Sequence, residues 1–273
     1  MRMAVFRNEN AHILYDGETA PQMTPDWFMP SFWREHGAVT GEAPGRGASL
    51  FLDVCRLPAE LHPVHATGAP AQRWALRPYR RGGLIAKIAR QRYLYTGLER
   101  TRAFAELRLT ETLHRQGLPV PEPVGACVWR HGLSYEAALI TVLIPGARAF
   151  ADDLIALEAQ RLPAGAELPE SLLTVLETTG RAIRAVHDAG LEHVDLNARN
   201  LLVDEGGRAY VIDLDRCQLH DEAPADARWR ENNLSRLGRS LARFTPRHHA
   251  TCLAAIRSAY HEASVPMQCT IAT

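Results

Sequence analysis

His193-Val-Asp195-Leu-Asn-Ala-Arg-Asn200-Leu-Leu-Val203, with Tyr210-Val-Ile-Asp213-Leu-Asp215 shortly after it, is the stretch whose reading decides the fold. Leu201 to Val203 and Ala209 to Ile212 read as short strands, and Asp204-Glu-Gly-Gly207 between them reads as a hairpin-like turn. Asp195 and Asn200 thus precede one strand, and Asp213 follows the other. Phosphoryl transfer asks little covalent chemistry of a protein. It needs a carboxylate to orient or deprotonate the acceptor hydroxyl, and oxygen ligands to hold Mg²⁺ against the phosphates of ATP. The order H-x-D-x-x-x-x-N, strand, turn, strand, Asp supplies those groups, so Asp195 is read as catalytic and Asn200 and Asp213 as metal ligands. A lone Asp-Leu-Asn is usually a turn or cap, but the ordered set with its flanking strands outweighs that reading. His193 is read as a buttress of the loop rather than a proton carrier.

Upstream of this motif, Leu172, Leu173, Val175, Leu176, Ile183 and Val186 recur at helical spacing, and Gly190 supplies a stop. Helical patterns resume from Asn232 onwards. The first half differs. Ala48 to Cys55, Arg73 to Tyr79, Val124 to Arg130 and Glu136 to Leu143 read as strands, Leu84 to Tyr95 as a basic amphipathic helix, and Leu98 to Gln116 as a longer helix. Pro145-Gly146 breaks the chain between the halves. The expected fold is α+β and bilobal, of protein-kinase-like type: an antiparallel-sheet lobe over residues 1–145 and a mainly helical lobe over 146–273.

A kinase-type site also needs a strand cation for the nucleotide phosphates and a helix acid to hold that cation. Lys87 is the only lysine in the sequence, and it follows a Gly-Gly break in a helix-like segment. Arg77, in the strand candidate, is therefore assigned the cation's place, with Glu106 as its helix partner; arginine binds phosphate and carboxylate in bidentate fashion but is no neutral replacement for lysine. Gly45-Arg46-Gly47 fits a loop whose backbone N–H groups cover phosphates, and equally an ordinary glycine-rich hairpin. Arg80 and Arg81, followed by Lys87, Arg90 and Arg92, read either as a solvated basic face or as a site for an anionic acceptor or acidic lipid surface.

Composition bounds the rest. The chain has 273 residues, 46% hydrophobic and 23% charged, with zero formal net charge, which gives no indication of a nucleic-acid partner. The balance is local: from Arg73 to Arg115, eleven Arg or Lys face three Glu. Five scattered cysteines without a C-x-x-C pair fit free thiols, and His62, His65, His248 and His249 lack partners for a metal site. No segment reads as a signal peptide or membrane span, so a cytoplasmic protein is expected. Sixty residues follow Asp213, little room for the long extension of a protein-substrate kinase, which favours a small-molecule or lipid acceptor.

Leu76-Arg-Pro-Tyr-Arg80-Arg-Gly-Gly-Leu84, Gly117-Leu-Pro-Val-Pro121-Glu-Pro123, His187 to Asn200, Ile212 to Arg216 and Trp229 to Leu241 together resemble the 3-deoxy-D-manno-octulosonic acid (Kdo) kinases of the lipopolysaccharide kinase group. The resemblance runs from about Gly45 to Leu241 and implies ATP-dependent phosphorylation of the 4-hydroxyl of Kdo on a lipid A precursor. It implies work at the cytoplasmic face of a Gram-negative inner membrane, with an anionic membrane surface as partner and Arg80 and Arg81 on the acceptor side. Two departures stand out: Asp215 occupies the position of the protein-kinase glycine, and Pro78 stands where the group tends to have His. A kinase of another sugar or an aminoglycoside, and a non-catalytic nucleotide-binding scaffold, are the rival readings.

Overall fold

A computed structural model describes residues 3–8, 10–17, 23–43, 49–61, 73–79 and 93–263. They divide into two compact units, one of residues 1–114 and 121–143, the other of residues 115–120 and 144–273.

The first unit is built from β1 (Met3–Arg7), β2 (Ala11–Asp16), α1 (Pro30–Glu35), β3 (Val39–Glu42), β4 (Leu50–Asp53), β5 (Arg73–Pro78), β6 (Tyr93–Leu94), α2 (Arg102–Arg115), β7 (Pro123–His131) and β8 (Ser134–Val142). Its strands form one antiparallel sheet in the order β1-β2-β7-β8-β5-β4-β3, with β6 also paired to β8. Side chains alternate between the faces of a strand, so a sheet covered on both sides needs apolar residues at successive positions. Ile13, Cys127 and Ile140 pack on one face with Trp27, Phe28, Trp33 and Trp74. Leu14, Ala126, Val128 and Leu139 pack on the other with Phe104 and Leu107 of α2. Trp33 donates its indole N–H to the Trp27 carbonyl at 2.6 Å, which satisfies that ring's polar edge inside the core.

Several boundaries differ from the sequence reading for local reasons. The strand expected over Ala48 to Cys55 ends at Asp53, whose carboxylate accepts from the Cys55 N–H and turns the chain into a 3₁₀ turn, Val54–Arg56. Leu98–Arg100 is likewise a 3₁₀ turn, and the helix begins only at Arg102. The helix expected over Leu84 to Tyr95 lies mostly outside the described residues. Its C-terminal end is not helical: Tyr93 and Leu94 form β6, paired with Tyr135 and Ser134. The Tyr93 and Tyr135 rings lie 5.5 Å apart, a cross-strand aromatic pair that favours the extended state.

The second unit comprises β9 (Arg148–Ala149), α3 (Phe150–Ala159), α4 (Glu170–Asp188), β10 (Leu191–Glu192), β11 (Leu201–Val203), β12 (Ala209–Val211), β13 (Gln218–Leu219), α5 (Arg228–Phe244) and α6 (His249–Glu262). β11 lies between β12 and β9 in a small antiparallel sheet, and β10 pairs with β13. The chain enters this unit after Leu143, and Gly146 adopts φ +62° where the turn requires it. α4 and α6 approach closely at Gly180, where an added Cβ would lie 2.3 Å from the Ile256 carbonyl oxygen. α4 buries Leu172, Val175, Leu176, Ile183 and Val186, the apolar stripe read from the sequence, while Leu173 faces outward.

Candidate active site

Two small ladders place the motif. The segment from His193 to Asn200 leaves β10 and enters β11, while the segment from Ile212 to Cys217 leaves β12 and enters β13. Because β10 pairs with β13 and β11 with β12, both segments are stretched between the same two ladders and lie side by side. The Ile212 N–H donates to the Asn200 carbonyl at 3.0 Å, and His193 Nε2 donates to the Ile212 carbonyl at 3.0 Å. Asp195, Asn200 and Asp213 are thereby brought together on one unit.

His193 is fully buried, and burial is the main cause holding its pKa below the ordinary imidazole value. Its Nδ1 accepts from the Asp195 N–H at 3.2 Å, which leaves the proton on Nε2 for the Ile212 carbonyl. A neutral His193 therefore ties the residue at Asp195 to the strand end before Asp213, the buttress that the sequence reading assigned to it.

Within the loop, the Asp195 carbonyl accepts from Asn197 Nδ2 and from Asn200 Nδ2, both at 2.9 Å. The second bond fixes the Asn200 amide with Nδ2 inward, so Oδ1 is the atom presented as an acceptor. Asn197 Oδ1 also caps the Arg199 N–H at 2.9 Å. Asp195 itself is exposed, and among the described residues no hydrogen bond engages its carboxylate. Asp213 sits at φ +61°, in the left-handed region that an L residue enters at a cost of about 1 kcal/mol. Aspartate tolerates this conformation better than bulkier residues. Asp215 is 11% exposed, with Arg216 Nε 3.9 Å from its Oδ2.

The loop is held from behind by α5, a role the sequence reading did not assign. Asn233 Oδ1 accepts from the His193 N–H at 3.0 Å, Arg236 Nη1 donates to the Val194 carbonyl, and Ser240 Oγ accepts from the Ala198 N–H at 3.1 Å. These residues stand at i, i+3 and i+7, one face of the helix, and that polar spacing interleaved with Leu234, Leu237 and Leu241 is the signal that the sequence carried. Asn233 Oδ1 also lies 3.3 Å from His187 Nε2, and His187 Nδ1 lies 2.9 Å from the Tyr260 hydroxyl. Burial, its largest cause, lowers the His187 pKa to about 3, so this ring is neutral near pH 7.

In the first unit, Arg77 on β5 forms an ion pair with Glu106 on α2, and the Tyr79 hydroxyl donates to the same Glu106 oxygen. Glu106 is 3% exposed and Arg77 25%. Arg77 also lies over the Tyr79 ring, 4.8 Å from its centroid. A buried carboxylate is tolerated when charged and hydroxyl donors bond it, as Arg77 and Tyr79 do at one Glu106 oxygen. Tyr79 was not assigned to this group from the sequence. Gly45, Gly47, Arg80, Arg81 and Lys87, with His62 and His65, lie outside the described residues.

No group of three or more His, Cys, Asp or Glu able to hold a metal ion occurs among the described residues. Asn200 and Asp213 offer hard oxygen donors of the kind Mg²⁺ prefers, and such an ion commonly takes its remaining ligands from phosphates and water. The donor set fits that cation and not a soft metal.

An antiparallel-sheet unit with a strand cation paired to a helix acid, and a helical unit with an Asp–Asn–Asp loop set, define the class: protein-kinase-like phosphotransferases. Comparison with known proteins narrows it. The family described as lipopolysaccharide kinase (Kdo/WaaP) matches residues 30–256. Proteins named 3-deoxy-D-manno-octulosonic acid kinase from Xanthomonas campestris pv. campestris (strain B100) and Stenotrophomonas maltophilia (strain R551-3) are each 41% identical over 232 residues, covering 85% of this chain and 80% of theirs. Among solved structures, WaaP in complex with acyl carrier protein is 17% identical with a TM-score of 0.43, covering 85% of this chain and 92% of that one. The chain belongs to the lipopolysaccharide kinase (Kdo/WaaP) family.

Proposed function

We propose that this lipopolysaccharide kinase transfers the γ-phosphoryl group of ATP to the 4-hydroxyl of Kdo carried on a lipid A precursor. The acceptor is supported by the 41% identity to proteins named as Kdo kinases, over most of both chains. The chemistry is supported by one observation above the others: Asp195 is exposed with an unengaged carboxylate, while its backbone is fixed through both N–H and C=O. A group held rigidly by its main chain keeps its reactive oxygens for substrate.

In this reading the Asp195 carboxylate orients the sugar hydroxyl and takes its proton as the oxygen bonds to the γ-phosphorus. The bond from that phosphorus to the β–γ bridging oxygen breaks, ADP leaves, and the proton passes on to solvent. Mg²⁺, when bound, neutralises charge on the phosphates, and Asn200 Oδ1 and the Asp213 carboxylate are the groups to hold it. Arg77, kept in place by Glu106 and Tyr79, binds nucleotide phosphate, with Gly45 and Gly47 supplying backbone N–H groups and Arg80 and Arg81 facing the anionic acceptor.

The protein works as a peripheral enzyme at the cytoplasmic face of the inner membrane. No helix among the described residues is long and apolar enough to cross a membrane. Radiolabelled ATP and Kdo-bearing lipid A precursor, with mass spectrometry of the product, test this reading. A product carrying one new phosphate on the Kdo 4-position is expected. Absence of transfer by folded protein, or preference for free sugars or aminoglycosides in the same assay, would overturn the acceptor.

A further inference from the structure

At one end of the sheet in the first unit, two leucines stand out from the fold. Leu133 is 80% exposed and Leu94 67%, more than any other large hydrophobic residue among those described. They are close in the fold. Leu133 occupies the two-residue turn between β7 and β8, and Leu94 pairs with Ser134, the first residue of β8. The Tyr95 N–H donates to the Leu133 carbonyl at 2.9 Å, which continues the ladder to the turn itself.

The turn is built rather than loose. Gly132 takes φ +62°, the conformation demanded of the first residue in a tight hairpin loop of this kind, and it leaves Leu133 at the outermost position. Ser134 Oγ donates to the His131 carbonyl at 3.1 Å, and Arg130 Nε donates to the Gly132 carbonyl at 3.1 Å. Arg130 lies over Tyr95, 4.6 Å from the ring centroid. A scattered exposed leucine needs no explanation. Two on one fixed rim, with Arg130 and Tyr95 stacked beside the same turn, do.

Charge selects the occupant. Arg7, at the end of β1, and Arg130 are both exposed and both lie near His12, whose pKa is lowered by burial first and then by these two charges. Of the acids nearby, Glu99 binds Arg108 at 2.6 Å and is held low in pKa by that bond first and by Arg7 as well, and Glu136 lies 3.8 Å from His131 Nε2. In sequence, residues 80–92, just before β6, carry four Arg and one Lys and no acid. Protruding aliphatic side chains beside an arginine and a tyrosine match the boundary between anionic headgroups and acyl chains.

We propose that this rim, Leu94 and Leu133 with Arg7, Arg130 and Tyr95, is the surface by which the protein docks on an anionic lipid bilayer. The two leucines enter the acyl boundary, and the arginines contact headgroup phosphates. The proposal rests on the reading that the acceptor is lipid-borne, and it adds the face of the fold that meets the lipid.

Vesicle co-sedimentation tests it, with phosphatidylglycerol-containing vesicles against phosphatidylcholine alone. The wild type should bind the anionic vesicles and ignore the neutral ones. Leu94→Ser combined with Leu133→Ser should lower that binding about tenfold, since each leucine contributes only part of a full side-chain burial. Ile155→Ser, an equal change at a 46% exposed leucine-like position of the other unit, should leave it unchanged. The double variant should phosphorylate acceptor in detergent micelles at the wild-type rate and acceptor in anionic vesicles more slowly. Wild-type binding retained by the double variant would overturn the proposal. So would a wild type that binds no vesicles; the rim would then serve a protein partner. Vesicle binding without any transfer to Kdo would leave the docking surface standing and refute the acceptor instead.

Discussion

The two regions proposed to carry the kinase chemistry are fixed in opposite ways. In the first unit Arg77 is locked by side chains: Glu106 and Tyr79 surround it, and the pair is largely removed from water. In the second unit Asp195 is locked by main chain: His193, Asn197 and Asn200 bond its N–H and C=O, and its carboxylate is left exposed. The contrast fits the role proposed for each group. A cation that only binds phosphate loses nothing by being paired in advance. A carboxylate that must meet a hydroxyl and take a proton needs its oxygens unspent, so rigidity has to come from its backbone.

Substitutions separate the two designs. The largest effect is expected from Asp195→Asn, which removes the proposed proton acceptor and touches no bond that holds the loop. Turnover should fall by about 10³-fold while nucleotide affinity stays near wild type, read by steady-state rates alongside nucleotide binding. Equal turnover would remove Asp195 from its role. Glu106→Ala should do the reverse, raising the KM for nucleotide by about tenfold to a hundredfold as Arg77 loses its partner. Because it breaks a buried pair, it should also cost about 3 kcal/mol in denaturant unfolding. A stable variant with normal KM would mean that Arg77 needs no such support.

Asn233→Ala attacks the main-chain lock from outside the site. It strips the acceptor from the His193 N–H and should cost about 1–3 kcal/mol of stability. It should lower kcat by about tenfold with little change in KM, because the loop shifts while both substrates still bind. A proportional rise in KM instead would show that α5 serves binding. The smallest effect near pH 7 comes from protonation. His187 is neutral and buried, with its pKa lowered from 6.5 to about 3. In the unfolded chain it takes up a proton below about pH 6.5. The unfolded state thus binds more protons between those limits, so its contribution to stability is full above pH 6.5 and is lost as pH falls towards 3. His187→Gln should flatten acid unfolding over that window; an unchanged slope would refute the assignment.

The sequence was legible where the pattern is local. β11 coincides with Leu201–Val203, and α4 carries the stripe that its periodicity announced, because a hairpin or an amphipathic helix is specified by neighbouring residues. The reading failed where partners are remote. The β1–β2 hairpin and the aromatic cover from Trp27 to Trp33 passed unnoticed, since burial on the sheet defines them and periodicity does not. The paired segments β9, β10 and β13 are two residues each, too short for any periodic signal, and Tyr93-Leu94 took the strand state only through β8.

Covalent order by itself singled out the proposed reactive set. Asp195, Asn200 and Asp213 stand at intervals set by one loop and one hairpin, and phosphoryl transfer constrains those residue types and spacings directly. Tertiary structure alone decided how that set is held. Asn233 meets His193 across 40 positions, and Ser240 meets Ala198 across 42. No short stretch of sequence encodes such a contact, because a hydrogen bond from a helix face depends on how that helix packs. Only the packed fold shows that the loop carrying Asp195 rests on α5.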